Sequence, residues 1–165
     1  MDMNRYDLSK LPLPIRPGDA VFFVIVDTDE IQEDVATSVG INEDGRILIV
    51  ADGEEYEMGD LDQVFYTRED AEQFIAGTFE DYDEIDYKKL NLPYYPGTTF
   101  YYCDYDPFDG WEIFEEYYTY VIFDGDGSVR CGDGDSECTL MGSGIDPCFI
   151  TLREARKYVR EQIGR

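Results

Sequence analysis

One stretch of this chain occurs twice, and the repetition limits what the chain can fold into. Val64-Phe65-Tyr66-Thr67-Arg68-Glu69-Asp70-Ala71-Glu72-Gln73-Phe74-Ile75 returns as Cys148-Phe149-Ile150-Thr151-Leu152-Arg153-Glu154-Ala155-Arg156-Lys157-Tyr158-Val159. Each copy reads as a short strand, a threonine cap and an amphipathic helix. Thr67 precedes Asp70 by three residues and Thr151 precedes Glu154 by three, the spacing of a capping box or its Asp variant. The hydroxyl accepts from a free amide of the first turn, and the acid favours the positive helix end. Ala71, Phe74 and Ile75 then share one face, as do Leu152, Ala155, Tyr158, Val159 and Ile163, a stripe that predicts core packing.

The upstream segments repeat as well. A shift of 79 residues places Asp7, Lys10, Leu11, Leu13, Pro14, Pro17 and Gly18 on Asp86, Lys89, Leu90, Leu92, Pro93, Pro96 and Gly97. At the far end the shift is 84, so the second copy carries five extra residues between the two anchors. The reading is a tandem duplication, residues 1–79 and 80–165, each a small β structure closed by its C-terminal helix. Units of about 80 residues bury only about 60% of their unfolded surface and are marginal alone, so the two are expected to pack together.

Pro17-Gly18-Asp19 turns into the apolar run Ala20–Val26, which predicts a buried strand. Asp27 to Asp34 reads as an acidic loop. Asn42-Glu43-Asp44-Gly45 is a hairpin signal between Val35–Ile41 and Arg46–Ala51. Glu55–Met58 and Val64–Tyr66 complete five short strands. The second copy follows the same plan with Thr98–Asp104, Glu116–Phe123, Ser128–Gly132, Glu137–Met141 and Cys148–Ile150. The expected class is α+β, mainly β.

The order Pro-x-x-Pro-Gly, aromatic-rich strand, Asp/Gly hairpins and Phe-x-Thr-x-x-[Asp/Glu]-Ala resembles small SH3-like barrel proteins of gut bacteria and their mobile elements. Those are usually single-copy. The resemblance covers nearly the whole chain, twice, and implies two tandem SH3-like barrels and a genomic setting rather than an activity. The second copy departs from the pattern in its glycine-rich hairpins and in Asp146-Pro147.

Charge is the compositional outlier: 38 acids against 13 bases, no histidine, and a formal net charge of −25. Residues 151–165 hold five bases and two acids, +3, which leaves eight bases against 36 acids, −28, on the first 150. Such a field repels nucleic acid and anionic membranes and attracts basic partners. Without histidine there is no Ser-His or Cys-His pair, and no phosphate-cradling glycine motif is present, so no enzymatic activity and no cofactor are expected. Asp124-Gly125-Asp126-Gly127-Ser128 and Asp133-Gly134-Asp135-Ser136-Glu137 resemble calcium loops only loosely. Val129 stands where glycine is wanted and Asp135 where glutamate is, and no metal site is assigned. Cys103, Cys131, Cys138 and Cys148 lie only in the second copy and are read as reduced thiols. No apolar run has the length of a signal peptide core or a membrane span, which points to a cytoplasmic protein.

Two candidate binding regions remain. The segment between the copies carries Glu80, Asp81, Asp83, Glu84 and Asp86 among Phe79, Tyr82 and Ile85. It reads either as a solvated linker or as a helical turn pinning the copies together. Tyr105-Asp106-Pro107-Phe108-Asp109-Gly110-Trp111 reads as a loop whose Tyr105, Phe108 and Trp111 either contact a partner or cap the barrel. The acidic region suggests a DNA-mimic decoy that occupies a host defence nuclease of the CRISPR or restriction type through that protein's basic surface, without binding nucleic acid itself. The aromatic region suggests an SH3-like protein–protein interaction module.

Overall fold

The computed structural model describes residues 4–142 and 144–164. It is mainly β with two α-helices, as the sequence predicts, and its strands form three sheets. In the first half the chain runs through a short 3-10 turn, Leu8–Lys10, and then β1 (Ala20–Ile25), β2 (Glu30–Val35), β3 (Ser38–Asn42), β4 (Ile47–Ala51), β5 (Glu54–Glu57), β6 (Val64–Phe65) and α1 (Arg68–Ala76). The second half repeats that order: a 3-10 turn at Tyr87–Lys89, β7 (Thr98–Asp106), β8 (Gly110–Tyr118), β9 (Tyr120–Asp124), β10 (Val129–Gly132), β11 (Glu137–Met141), β12 (Cys148–Phe149) and α2 (Leu152–Ile163).

Each half contributes a three-stranded sheet of its own, ordered β2-β1-β6 in one and β12-β7-β8 in the other. The remaining strands join in a six-stranded sheet, β11-β10-β9-β3-β4-β5, whose central pair comes from different halves. There β3 and β9 run antiparallel, with Ser38 opposite Asp124, Gly40 opposite Ile122 and Asn42 opposite Tyr120. The core crosses this seam without interruption. Val39, Ile41 and Ile49 from the first half and Val121, Phe123, Val129 and Cys131 from the second are all fully buried in one cluster. A smaller cluster of Val24, Phe65 and Ala71, flanked by Phe74 and Phe79, seats α1.

The caps form as the sequence dictates. Thr67 Oγ1 accepts the Asp70 amide at 3.0 Å and Thr151 Oγ1 accepts that of Glu154 at 3.2 Å. Gly77 ends α1 in the left-handed conformation that glycine adopts without steric cost. Ala71 and Ala155 are fully buried, whereas Ile75 and Ile163, placed on the packed stripe from the sequence, are 38% and 69% exposed. The helices therefore bury narrower faces than their sequences suggest.

Three readings of the sequence are corrected. The acidic segment 27–34 is a turn followed by strand β2, which pairs in register with β1 from Ala20–Val35 to Ile25–Glu30. This strand, Glu-Ile-Gln-Glu-Asp-Val, lies at a sheet edge with most of its residues in solvent, so burial leaves little apolar pattern in its sequence. The segment 105–111 is the end of a β-hairpin of two nine-residue strands, β7 and β8, with only Pro107, Phe108 and Asp109 between them. Each half thus has six strands where five were expected. None of the three sheets closes on itself as a barrel would.

The lead-in segments exchange partners between the halves. The Tyr6 amide donates to Gly127 O at 2.8 Å, and the Tyr6 ring packs 5.1 Å from Phe123. The Ile85 amide donates to Gly45 O at 2.9 Å. Tyr6 and Ile85 correspond under the 79-residue shift, so each lead-in docks on the β-turn of the opposite half.

Candidate functional site

The segment joining the halves is not a helical turn, and it is not a solvated tether either: Phe79, Tyr82 and Ile85, the residues read from the sequence as pinning it, are its anchors. Residues 77–86 hold no regular element and lie against the first half as a strap. Phe79 packs edge-on to Phe65 at 4.8 Å between centroids, and Tyr82 packs on Tyr66 at 4.4 Å. The Tyr82 hydroxyl donates to Asp70 Oδ2 at 2.6 Å and accepts the Tyr66 amide at 3.0 Å. Asp70, expected to serve its own helix cap, thereby also holds the strap. Burial first, and then the Asp70 carboxylate, push the Tyr82 phenol well above its ordinary range, so it remains a donor.

The five strap acids divide by role. Asp81 is half-buried and engaged within the protein: Arg46 Nη2 lies 2.7 Å from its Oδ2, while its Oδ1 accepts the amides of Tyr82 and Asp60. Burial alone would raise its carboxyl, but the Arg46 guanidinium and the two amides outweigh that and hold it below the usual carboxylate range. Arg46 also donates to Tyr82 O at 2.6 Å, so a single guanidinium fixes the strap twice. Glu80, Asp83, Glu84 and Asp86 are exposed. Among them, Asp86 meets one cation, Lys89 at 3.8 Å, an exposed pair worth little in water.

Two further acids, which the sequence marks only as part of a hairpin turn, join this surface. Glu43 and Asp44 occupy the β3–β4 turn, and with Glu84, Ile85, Asp86, Tyr87 and Lys88 they line a groove of about 320 Å³. Their proximity follows from the Gly45–Ile85 hydrogen bond, which brings turn and strap together. Asn42 shapes the turn, its Oδ1 accepting the amides of Asp44 and Arg46 at 3.0 Å each. The Tyr87 phenol records the local field: burial, then the charges of Glu43, Asp44 and Asp86, push it above its ordinary value. Tyr117 from β8 donates to Glu43 Oε2 at 2.5 Å and ties the groove to the second half. The Asn42–Gly45 turn was legible in the sequence; its meeting with the strap was not.

The aromatic residues lie on the β7–β8 hairpin. Tyr105 and Trp111 are cross-strand partners with ring centroids 5.4 Å apart, and Trp111 meets Tyr158 of α2 edge-on at 5.7 Å. Trp111 thus fastens the helix to the hairpin. Phe108 sits at the tip, 94% exposed, and Tyr105 is 55% exposed. The three residues do not form one patch of equal exposure.

In the glycine-rich turns, Asp124 receives two hydrogen bonds from Arg130 and one from Ser38 Oγ, and Asp126 pairs with Arg5 at 3.1 Å. Their carboxylates face different cations across the turn. Among the described residues no cluster of three or more Cys, Asp or Glu side chains has metal-binding geometry, and no helix is long and apolar enough to cross a membrane. No known family model, curated protein or solved structure matches the chain.

Proposed function

We propose that this protein is an acidic decoy that occupies the basic, nucleic-acid-binding surface of another protein, of the kind presented by a host defence nuclease. The observation that carries the reading is the strap. Hydrogen bonds from Tyr82, Ile85 and Arg46 hold it in place, while Glu80, Asp83, Glu84 and Asp86 stay in solvent and the last two share a groove with Glu43 and Asp44. A seven-residue stretch, 80–86, spans at most about 25 Å. One DNA strand carries a charge per ~3.4 Å of axis, or about seven over that length. Four exposed strap carboxylates with the two turn acids approach that density, and anchoring means that little ordering entropy is lost on binding.

Cleavage of DNA by restriction and CRISPR nucleases, assayed with the protein added at two salt concentrations, tests the reading. Inhibition that weakens as salt rises, and is lost when Glu80, Asp83, Glu84 and Asp86 become Gln or Asn, supports it; charge screening over about 8 Å at physiological ionic strength requires that dependence. Unimpaired cleavage throughout, or direct binding of DNA by the protein, rejects it.

A second reading has its own observation, the 94% exposure of Phe108 at the hairpin tip. We read each half as an SH3-like barrel variant. Strands β2 and β3 are separated only by Ala36 and Thr37, and β8 and β9 only by Thr119, so one bent strand serves two sheets. The Gly59–Val64 bridge links the exit of β5 to β6. On this reading the hairpin holds a protein partner through Tyr105, Phe108 and Trp111, and binding is indifferent to salt.

A further inference from the structure

Two of the four cysteines are placed as no structural thiol needs to be. Cys103 and Cys131 are enclosed, 1% and 0% exposed, and burial pushes both thiols up. Cys103 donates to Ala155 O and serves packing of α2. Cys138 on β11 is also buried, but its sulfur lies 3.1 Å from the Tyr118 hydroxyl and beside the thiol of Cys148 on β12. It lines a cavity of about 270 Å³ with Tyr102, Glu116, Tyr118, Glu137 and Asp146. Cys148 opens onto a different cavity, of about 560 Å³, bordered by Tyr94, Leu140 and Pro147. The two thiols are therefore hydrogen-bonding neighbours that face separate voids.

Geometry distinguishes the two: only Cys138 has the Tyr118 hydroxyl 3.1 Å from its sulfur and lines the smaller void. The Cys148 S–H first, and then the Tyr118 O–H, stabilise the ionised form of Cys138 and bring its pKa below that of an ordinary thiol despite burial. Cys148 is held protonated by its ionising neighbour and by burial. A thiolate with two donors, a proton-bearing second thiol and a small void make an attacking and resolving pair.

We propose that Cys138 and Cys148 form a redox site that reduces small neutral hydroperoxides and records the event as a disulfide between β11 and β12. The Cys138 thiolate attacks one peroxide oxygen; the S–O bond forms, the O–O bond breaks, and the departing oxygen takes a proton and leaves as water or alcohol. Sulfur is oxidised by two electrons to the sulfenic acid. Cys148 then attacks that sulfur, the S–S bond forms, and the hydroxyl leaves as water with the Cys148 proton. In sum, two thiols and one hydroperoxide give one disulfide, one alcohol or water from the peroxide, and one further water. Glu116, Glu137 and Asp146 around the void disfavour anionic oxidants such as oxidised glutathione.

The intact protein is treated with hydrogen peroxide, denatured, alkylated and mapped by mass spectrometry. The expected result is the loss of two of the four alkylatable thiols, a single Cys138–Cys148 crosslink, and its full reversal by dithiothreitol. Cys148→Ser is expected to stop at a sulfenic acid on Cys138 that dimedone traps, and Cys131→Ser to behave as the parent. Tyr118→Phe is expected to slow the loss of thiols about tenfold, the effect of one hydrogen bond to a charged group. Four thiols surviving peroxide, a Cys131–Cys138 crosslink, or faster oxidation by oxidised glutathione than by peroxide overturns the proposal.

Discussion

Gly45 accepts the amide of Ile85 at 2.9 Å, and its Cα hydrogen lies where a methyl group would meet Ile85 O at 2.3 Å. Gly127 stands in the same relation to Tyr6, with an added Cβ 2.8 Å from Tyr6 O. Both glycines have positive φ, 81° and 87°. These two contacts lock each half's lead-in onto the other half's turn, and the first of them places the acidic strap.

Gly45→Ala therefore carries two penalties, a strained φ and a clash with backbone that cannot rotate away. Together they are expected to cost about 2–4 kcal/mol. Urea unfolding reads the loss, and limited proteolysis of residues 77–86 reads the strap. Cleavage there is expected to rise sharply in Gly45→Ala and not in Gly53→Ala, where nothing lies within 4 Å of an added Cβ.

The β3–β9 seam depends on a second glycine for a different reason. Gly40 is opposite Ile122, and a Cβ at Gly40 would lie 2.3 Å from Val121 O and 2.8 Å from Ile122 Cγ1. Backbone conformation is not at issue here; space is. Gly40→Ala is expected to destabilise by about 1–3 kcal/mol or more. Because the seam joins both halves, calorimetry should show one transition lowered in temperature as a unit. A variant as stable as the parent would mean that the strands can separate without loss.

Asp81 supplies a pH dependence whose sign can be worked out. Its folded carboxyl lies below the ordinary value, so its contribution is complete above the unfolded pKa of about 4 and is lost as pH falls through the depressed folded value. Asp60 beside it shifts the other way, because burial and the Asp81 charge favour its proton. Asp81→Asn leaves Arg46 with Tyr82 O and the more distant Glu57, and is expected to cost about 1–2 kcal/mol at pH 7. The gap between variant and parent should narrow as pH falls below the unfolded value and close only once pH is below the depressed folded value. A gap that persists there would show that the carboxylate charge is not what Arg46 recognises.

What could be read in the sequence was what neighbouring residues decide. Thr67 and Thr151 carry their acids three residues on, and the Asn42–Gly45 turn announces itself by residue type. Strand β2 was not legible because an exposed edge imposes no apolar period on Glu30–Val35. Asp70 reads only as a cap acid, Tyr82 only as one anchor of the joining segment and Arg46 only as the start of a strand, and their meeting at the strap follows from contacts up to 36 positions apart. The Cys138, Cys148 and Tyr118 cluster likewise comes from three strands whose adjacency is tertiary.

The hairpin aromatics yield the last prediction, since stability and binding separate between neighbours. Trp111 is wedged between Tyr105 and Tyr158, so Trp111→Ala removes the contact that seats α2 on the hairpin and is expected to cost about 1–3 kcal/mol. Phe108 is 94% exposed, and Phe108→Ser is expected to leave the unfolding midpoint within about 0.5 kcal/mol of the parent. Loss of a partner in Trp111→Ala would therefore not distinguish a binding role from a loosened helix, whereas loss in Phe108→Ser would. Nuclease inhibition that survives Phe108→Ser and disappears on neutralising Glu80, Asp83, Glu84 and Asp86 assigns binding to the strap. The reverse pattern, with binding unchanged by salt, assigns it to the hairpin.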